Sequence, residues 1–306
     1  MKEKVFIDLI KRTLKSDYIG DDCAYLNDLD IVITQDNLIE GVHFLRKFIT
    51  PYKLGYKSVA VNISDICASG AEPKYLTVAL SLPDDTDEDF IEQFYKGAKD
   101  ASENAKIVGG DLTGADKIFI SVTAIGSTKG RKISSRNNAK IGQKVVISGN
   151  HGSSAAGLKL LQGCDFPNLT DKEKEELINS HLMPKAQIDF SKKISTSEIN
   201  QYAMMDTSDG LADALITIAE GSGVMLDIDF EKIPHAKFLE KTENYKNLIL
   251  YGGEDYGLIA TVDNAEGMTV IGEVKQGSGV KINYKDTSEI LSTSSLEKNL
   301  FKHFKE

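Results

Sequence analysis

No tryptophan occurs in the 306-residue chain, and cysteine is scarce. Cys23, Cys67 and Cys164 form no Cys-x-x-Cys pair, and an odd number cannot all pair within one chain. A reducing, cytoplasmic compartment is therefore expected. His43, His151, His181, His235 and His303 are scattered, without the close Cys/His spacing of a zinc site. Long apolar runs are missing as well. The longest are strand-length, so no membrane span is expected, and the charged opening Met-Lys-Glu-Lys-Val-Phe-Ile-Asp does not read as an export signal. Basic residues are the minority, 36 Lys and Arg against 46 Asp and Glu, for a net charge of −10. That balance argues against a nucleic-acid-binding surface, which rewards Lys/Arg clusters. Neither G-x-x-x-x-G-K-[ST] nor G-x-G-x-x-G appears, which removes support for a P-loop ATPase and for a Rossmann dehydrogenase. No repeat of fixed period and no low-complexity segment is visible.

What remains is ordinary globular composition, 41% hydrophobic and 27% charged, in a chain long enough for about two domains. Val5, Phe6, Leu9, Ile10 and Leu14 recur at helical spacing. Strands are expected at Ile31–Thr34, Lys74–Leu82 and Ile118–Ala124, with a helix over 53–69 between the first two. Thr86-Asp87-Glu88-Asp89 resembles a capping box opening a further helix. Residues 127–142 are polar, basic and punctuated by glycine, and the domain boundary is placed there, giving units 1–137 and 138–306. The second unit reads as a strand at Lys144–Ser148 and helices near 171–180, 185–195 and 209–220, the last closed by Gly221 or Gly223. Further strands are expected at 224–230, 257–263, 268–275 and 279–285. The fold class is α+β in both units.

The acids are the informative residues. Several lie in short Gly-, Ser- and Thr-rich segments: Gly20-Asp21-Asp22, Thr34-Gln35-Asp36, Gly109-Gly110-Asp111, Asp206-Thr207-Ser208-Asp209-Gly210 and Gly252-Gly253-Glu254-Asp255. Such loop and element-end settings are where a scaffold places functional groups. Asp36, after an apolar strand, fits either a strand-end acid or a ligand. Asp65 lies in an apolar helix with Asn62 and Ser69 as its helical neighbours, a small uncharged stripe unlike a solvated face. A lone buried carboxylate there needs positive charge nearby. Asp206 and Asp209, three apart at a helix start, can point the same way, and capping accounts for only one of them. No Lys or Arg is interleaved among these acids, so a hard divalent cation is the natural counter-charge. Mg²⁺ takes oxygen ligands and bridges carboxylates to phosphates.

Two segments are candidates for holding phosphate. Gly149-Asn150-His151-Gly152-Ser153-Ser154-Ala155-Ala156-Gly157 precedes a helix whose free N–H groups favour anions, and it fits a plain strand-to-helix turn equally well. The basic stretch Lys129–Arg136 is either a solvated linker or a local positive patch from which Arg136 reaches a nucleotide.

Taken in order, these segments resemble the thiamine-monophosphate kinase family, part of the ATP-dependent superfamily that includes aminoimidazole ribonucleotide synthetase. The resemblance runs from about residue 17 to the C-terminus. Glu40-Gly41-Val42-His43-Phe44 and Gly252-Gly253-Glu254-Asp255-Tyr256 single out this family among its relatives. The resemblance implies two α/β-sandwich-like domains and a homodimer whose N-terminal strands form a joint intersubunit β-barrel. It implies direct transfer of the ATP γ-phosphoryl group to thiamine monophosphate, aided by several Mg²⁺ ions, with no phosphoenzyme. Asp22, Thr34, Asp36, Asp65, Asp206 and Asp209 would be metal ligands, Gln35 joining them through a carbonyl oxygen. Gly110, Asp111, Arg136 and Ser208 would meet ATP or its metal, and His43 and Glu254 would contact thiamine monophosphate. No residue is expected to act as a general base, because the attacking phosphate oxygen is already ionised.

Two departures stand out. Gln35 occupies a position where the family commonly has Thr or Ser. The family's C-terminal Trp-x-Gly-Tyr-x-His-Phe is here Lys298-Asn299-Leu300-Phe301-Lys302-His303-Phe304, so Phe301 either replaces the aromatic contact to the thiamine end or packs a terminal helix. The alternatives are a superfamily enzyme with another acceptor, or a metal- or nucleotide-binding module without catalysis. The selenophosphate and hydrogenase-maturation branches are disfavoured, because no reactive cysteine stands at either end.

Overall fold

The computed structural model describes residues 2–291 and Leu296. Its elements run α1 (Lys2–Leu14), β1 (Ala24–Leu26), β2 (Ile31–Ile39), α2 (Pro51–Ala68), β3 (Glu72–Leu82), α3 (Glu88–Ser102), β4 (Lys106–Gly114) and β5 (Phe119–Ser127). They continue through β6 (Lys144–Ile147), α4 (Ser153–Leu161), α5 (Asp171–Leu182), α6 (Ile188–Ser195), β7 (Met204–Asp206), α7 (Leu211–Ser222) and β8 (Met225–Asp229). The last are α8 (Tyr245–Tyr251), β9 (Leu258–Val262), β10 (Thr269–Lys275), β11 (Gly279–Asn283) and β12 (Ser288–Leu291). Among the described residues no helix is long and apolar enough to cross a membrane.

The mixture is α+β, as the periodicities imply, in two sheets. The first has the order β1-β2-β5-β3-β4 and the second β12-β11-β8-β10-β6-β9-β7. In the first, β5 pairs antiparallel with both β2 and β3, while β3 and β4 are parallel and joined through α3. Alternation along β2 turns Val32, Thr34, Asp36 and Leu38 to one face and Ile33, Gln35 and Asn37 to the other. Val32 and Leu38 join α2 in the core. The second sheet is antiparallel except for β8 and β11.

Helix α2 is buried nearly all round, including Lys57, Ser58, Asn62 and Ser64. It lies on the first sheet with one side and against α3, α6 and β7 with others, which is why it has no Lys/Glu face. Its crossing with α3 is glycine to backbone: a Cβ on Gly55 would fall 1.9 Å from Phe94 O, and one on Gly97 1.8 Å from Tyr52 O.

Several boundaries differ from the sequence reading. Helix α3 is capped by Asp87, whose side chain accepts the Phe90 N–H, and not by Thr86. Strand β2 continues to Ile39, so Thr34, Gln35 and Asp36 sit inside it. Gly109-Gly110-Asp111 forms part of β4, where low β propensity hid a strand that parallel pairing with β3 supports. Helix α7 does close at Gly223, which takes the left-handed conformation that glycine tolerates.

Candidate active site

Three carboxylates converge where the two sheets meet. Asp22 arrives on the loop before β1, Asp65 on the last turn of α2, and Asp206 at the end of β7. One oxygen from each lies within 4.8 Å of the others. Hydroxyls satisfy part of their demand. Thr34 Oγ1 donates to Asp65 Oδ2 at 2.7 Å, and Ser64 Oγ donates to Asp206 Oδ2 at 2.6 Å. Asp36 adjoins on β2, its backbone N–H held by Asn62 Oδ1 at 3.0 Å.

The electrostatics are those of a site short of positive charge. Burial pushes the Asp65 carboxyl well above the usual range, and Asp36, Asp206 and Asp22 push it further. Asp206 is raised to about 7, by burial first and by Asp22 next. Burial also raises Asp22, with Arg136 opposing. Like charges in low dielectric cannot all ionise without a counter-ion. Buried oxygens fixed by hydroxyl donors, with little cation from the chain, fit a divalent metal.

One cation does reach them, contrary to the reading that none is interleaved. Arg136 Nη2 contacts Asp22 Oδ1 at 2.6 Å. The backbone N–H of Arg136 donates to Asp21 Oδ1 at 2.9 Å and Ser135 Oγ to Asp21 Oδ2 at 2.8 Å. Asp21 thus pins the polar segment between the sheets and delivers the guanidinium to the cluster. Arg136 Nε is buried without a hydrogen-bond partner. Nε lies 3.8 Å from Asp21 Oδ1, so the guanidinium is held by both Asp21 and Asp22, and a charged fork at the border of the cluster is suited to a phosphate.

A second group of charges gathers around Glu254. Its residue holds φ +64°, and its N–H donates to Ser208 O at 2.7 Å. Glu254 Oε1 lies 3.0 Å from Lys57 Nζ, and Oε2 lies 3.4 Å from His181 Nδ1. Burial pushes Glu254 up, but Lys57 and then His181 outweigh it and keep the carboxyl below its ordinary range. Burial and Lys57 lower His181 to about 4, so its ring is neutral near pH 7 and the contact is a hydrogen bond rather than an ion pair. His181 Nδ1 also lies 3.0 Å from Ser154 Oγ. A lone pair there would face the carboxylate, so the favoured tautomer carries the proton on Nδ1. Because Ser154 and Glu254 share one ring nitrogen, the three do not form a nucleophile relay, which needs both. His43 stands close enough to Glu254 to favour its ionised form. Its Nδ1 accepts the Ile39 N–H at 3.0 Å, which leaves the ring proton on Nε2.

The remaining residues are placed as follows. The Gln35 side chain is on the opposite face of β2 from Thr34 and Asp36, its Oε1 accepting from Thr123 Oγ1 at 3.0 Å, so it is not brought to the cluster. Asp209 is exposed in the loop before α7, while Asp206 is buried at a strand end. The two therefore do not share a helix start, and Gly210 is the N-cap. Gly110 and Asp111 lie on exposed β4, three strands from β2, a separation of about 14 Å at the usual strand spacing. The Gly149–Gly157 segment does lead into a helix, α4, but its first N–H groups are taken by Asp255. Phe301 lies outside the described residues.

Lys57, His181 and Asp255 were not singled out from sequence. A lysine in a helix and a histidine near a helix end are ordinary, and the partner that makes the first two unusual is far along the chain. Asp255 follows Glu254 and carried a detectable signal only as a member of Gly-Gly-Glu-Asp.

Comparison with known proteins agrees with this geometry. Residues 20–128 match the family described as AIR synthase related protein, N-terminal domain. A thiamine-monophosphate kinase of Aquifex aeolicus is 41% identical over 300 residues, covering 91% of this chain and 93% of the relative. One from Bacillus subtilis is 33% identical over 94% of this chain and 93% of its own. A solved structure described as AaThiL complexed with AMPPCP and TMP superposes with a TM-score of 0.80 at 39% identity, covering 90% of this chain and 92% of that one. Fold and site thus define an AIR-synthase-type protein with an acidic, Arg-bordered centre. The chain belongs to the thiamine-monophosphate kinase family.

Proposed function

We infer that this chain transfers the γ-phosphoryl group of ATP to the phosphate of thiamine monophosphate, forming thiamine diphosphate and ADP. The observation that carries this reading is the Asp22–Asp65–Asp206 cluster, half-buried at the first two and buried at the third, with Arg136 at its border. Its charge is matched to a metal-bound polyphosphate. The relative described as complexed with AMPPCP and TMP supports ATP and thiamine monophosphate as the two substrates.

In the transfer, an ionised oxygen of the acceptor phosphate forms a bond to the γ-phosphorus. The bond from that phosphorus to the β,γ-bridging oxygen breaks, and the electron pair leaves with ADP. No proton has to move, so the residues act by position and charge. Asp22, Asp36, Asp65 and Asp206 would hold Mg²⁺ together with Thr34, and Asp209 would join once phosphates enter. Bound Mg²⁺ supplies neutralisation of the phosphate oxygens and alignment of donor with acceptor. Arg136, at the border of the cluster, takes a nucleotide phosphate, with Ser208 beside Asp206. His43 and Glu254 take the acceptor.

The chain works as a homodimer in this reading. Strand β4 has an open edge, and Tyr75, Val108 and Leu112 are 48%, 58% and 67% exposed nearby. Pairing two such sheets along that edge would form the joint barrel, and Gly110 and Asp111 on β4 would meet ATP or its metal. The domain division 1–137 and 138–306 agrees with a first sheet ending at Ser127 and a second starting at Lys144. A reducing cytoplasm suits the three unpaired cysteines.

The test is product analysis by mass. Purified protein is given ATP and Mg²⁺ with thiamine monophosphate, with thiamine, or with no acceptor. ADP matched by thiamine diphosphate from the monophosphate alone is the expected result. ADP release independent of acceptor, or silence with thiamine monophosphate while ATP still binds, would assign the nucleotide site to a different acceptor.

A further inference from the structure

Lys57 is a lysine with 1% of its surface exposed, in the middle of a helix whose other buried polar residues are Ser58, Asn62 and Ser64. A buried ammonium is costly and needs a compensating anion. Among the described residues that anion is Glu254, 3.0 Å away and 197 positions later in the sequence. Glu254 is not itself sealed. Its side chain keeps 29% of its surface, against 2% for the Lys57 side chain, so the pair presents a carboxylate edge outward and hides the cation behind it.

The geometry fixes what that edge offers. Lys57 holds one oxygen and His181 the other. An ionised carboxylate has about four lone-pair sites, so two remain for a ligand, and they accept only. The backbone is held as well, at positive φ and through the bond to Ser208 O. Helix α2 also sets a distance. Lys57 and Asp65 are eight residues apart on it, which at the rise of an α-helix is about 12 Å. That is the span of a small molecule with a phosphate at one end and a recognition group at the other.

We propose that Lys57 is a positioning and specificity-determining residue, holding Glu254 as a fixed hydrogen-bond acceptor that reads the end of the acceptor substrate remote from its phosphate. The group it reads is an N–H donor or cationic heterocycle. This rests on the functional reading above, in which thiamine monophosphate supplies an exocyclic amine and a positively charged ring. Lys57 touches neither reacting atom. Without it Glu254 would lose both its orientation and the charge that keeps it an acceptor, while the acid cluster at the other end of α2 would be unchanged.

The experiment is a double-mutant cycle on the full chain with Lys57→Met, Glu254→Gln and the pair. Steady-state kinetics in each substrate are combined with calorimetric binding of thiamine monophosphate in the presence of a non-hydrolysable ATP analogue. Lys57→Met should raise KM for thiamine monophosphate at least 10-fold and weaken its binding to match. KM for ATP and kcat should stay within about 3-fold, the scatter of a change worth under 1 kcal/mol. In the Glu254→Gln background the same substitution should add less than 2-fold. Lys57→Arg should recover part of the loss. If Lys57→Met does not fold, the double variant carries no unpaired charge, and it is read against Glu254→Gln alone. Equal losses for both substrates, or effects that multiply across the cycle, would show a merely structural ion pair and overturn the proposal. A wild-type chain that neither binds nor phosphorylates thiamine monophosphate would overturn the functional reading and this proposal together, whereas normal wild-type activity with an indifferent Lys57→Met overturns this proposal alone.

Discussion

Asp255 Oδ2 accepts the backbone N–H of Gly152 at 2.6 Å, and its other oxygen accepts that of Ser154 at 2.8 Å. The start of α4, with its glycines and small hydroxyl residues, looks in sequence like a cradle for phosphate. The protein fills it with its own carboxylate, which satisfies N–H groups that the helix leaves open. The same contact ties the loop carrying Glu254 to the second sheet, since Gly152 follows β6 by a short turn.

Asp255→Asn should therefore lose stability and acceptor affinity together. An amide presents one acceptor oxygen where two are used, and one N–H is left opposite an NH₂ group. The expected loss is about 1–2 kcal/mol, the value of a helix cap, read from urea unfolding midpoints, with a raised KM for thiamine monophosphate. Unchanged midpoints would mean that α4 does not depend on this cap.

Neighbouring positions on β2 should behave oppositely. Gln35→Ala removes a side chain directed away from the acids and bonded to Thr123, so turnover should change by no more than about 3-fold, as for an exposed substitution. Asp36→Asn, on the face toward Asp65, should cost on the order of 100-fold or more in kcat. Comparable kcat values for the two variants would contradict the strand register.

Asp65→Asn should separate stability from function. Burial and three neighbouring acids disfavour its charge, so the neutral variant relieves repulsion. Measured with chelator present, its stability should rise above that of the wild type. Mg²⁺ should stabilise the wild type more than this variant, and turnover should fall by on the order of 100-fold or more. A destabilised metal-free variant would show that Asp65 is stabilising as an anion, against the argument for a cation site.

The acid limb of stability should report His151. This ring is fully buried, and burial lowers it to about 4 from the ordinary 6.5. Between those values the unfolded chain binds more protons than the folded one, so stability falls as pH drops from about 6.5 to about 4. One such group accounts for at most roughly 3.4 kcal/mol at 1.36 kcal/mol per pKa unit. His151→Gln should flatten that part of the profile relative to wild type, measured as urea midpoints between pH 4.5 and 7. Parallel profiles would place the acid sensitivity elsewhere, with His181 the next group to test.

How much of this was visible in the sequence depended on whether a residue's meaning was local. Asp65 could be read because its helical neighbours are small and uncharged, and the seam that needs them is the one where the sheets meet. The periodic strands and helices of the second half were readable for the same reason. Strand β4 was not, since Gly109 and Gly110 carry no strand signal and pairing with β3 supplies the order. The spacing of Asp206 and Asp209 suggested one helix face, yet a strand end and an exposed loop separate them. Lys57 was the least legible. Its burial is tied to its ion pair with Glu254, a contact with no trace in its own neighbourhood.

The acid cluster also spans a joint. Asp22 and Asp65 belong to the half built on the first sheet, and Asp206 is the last residue of a strand in the second. In the metal-free chain the meeting of these halves carries mutual repulsion. An ion bound by all three would be a clasp as well as a reactant's companion, and its binding free energy would add to the cohesion of the whole chain. Melting should accordingly become more nearly all-or-none as Mg²⁺ is raised, with the halves parting at one temperature instead of two. The number of thermal transitions becomes a gauge of whether the reaction centre is assembled.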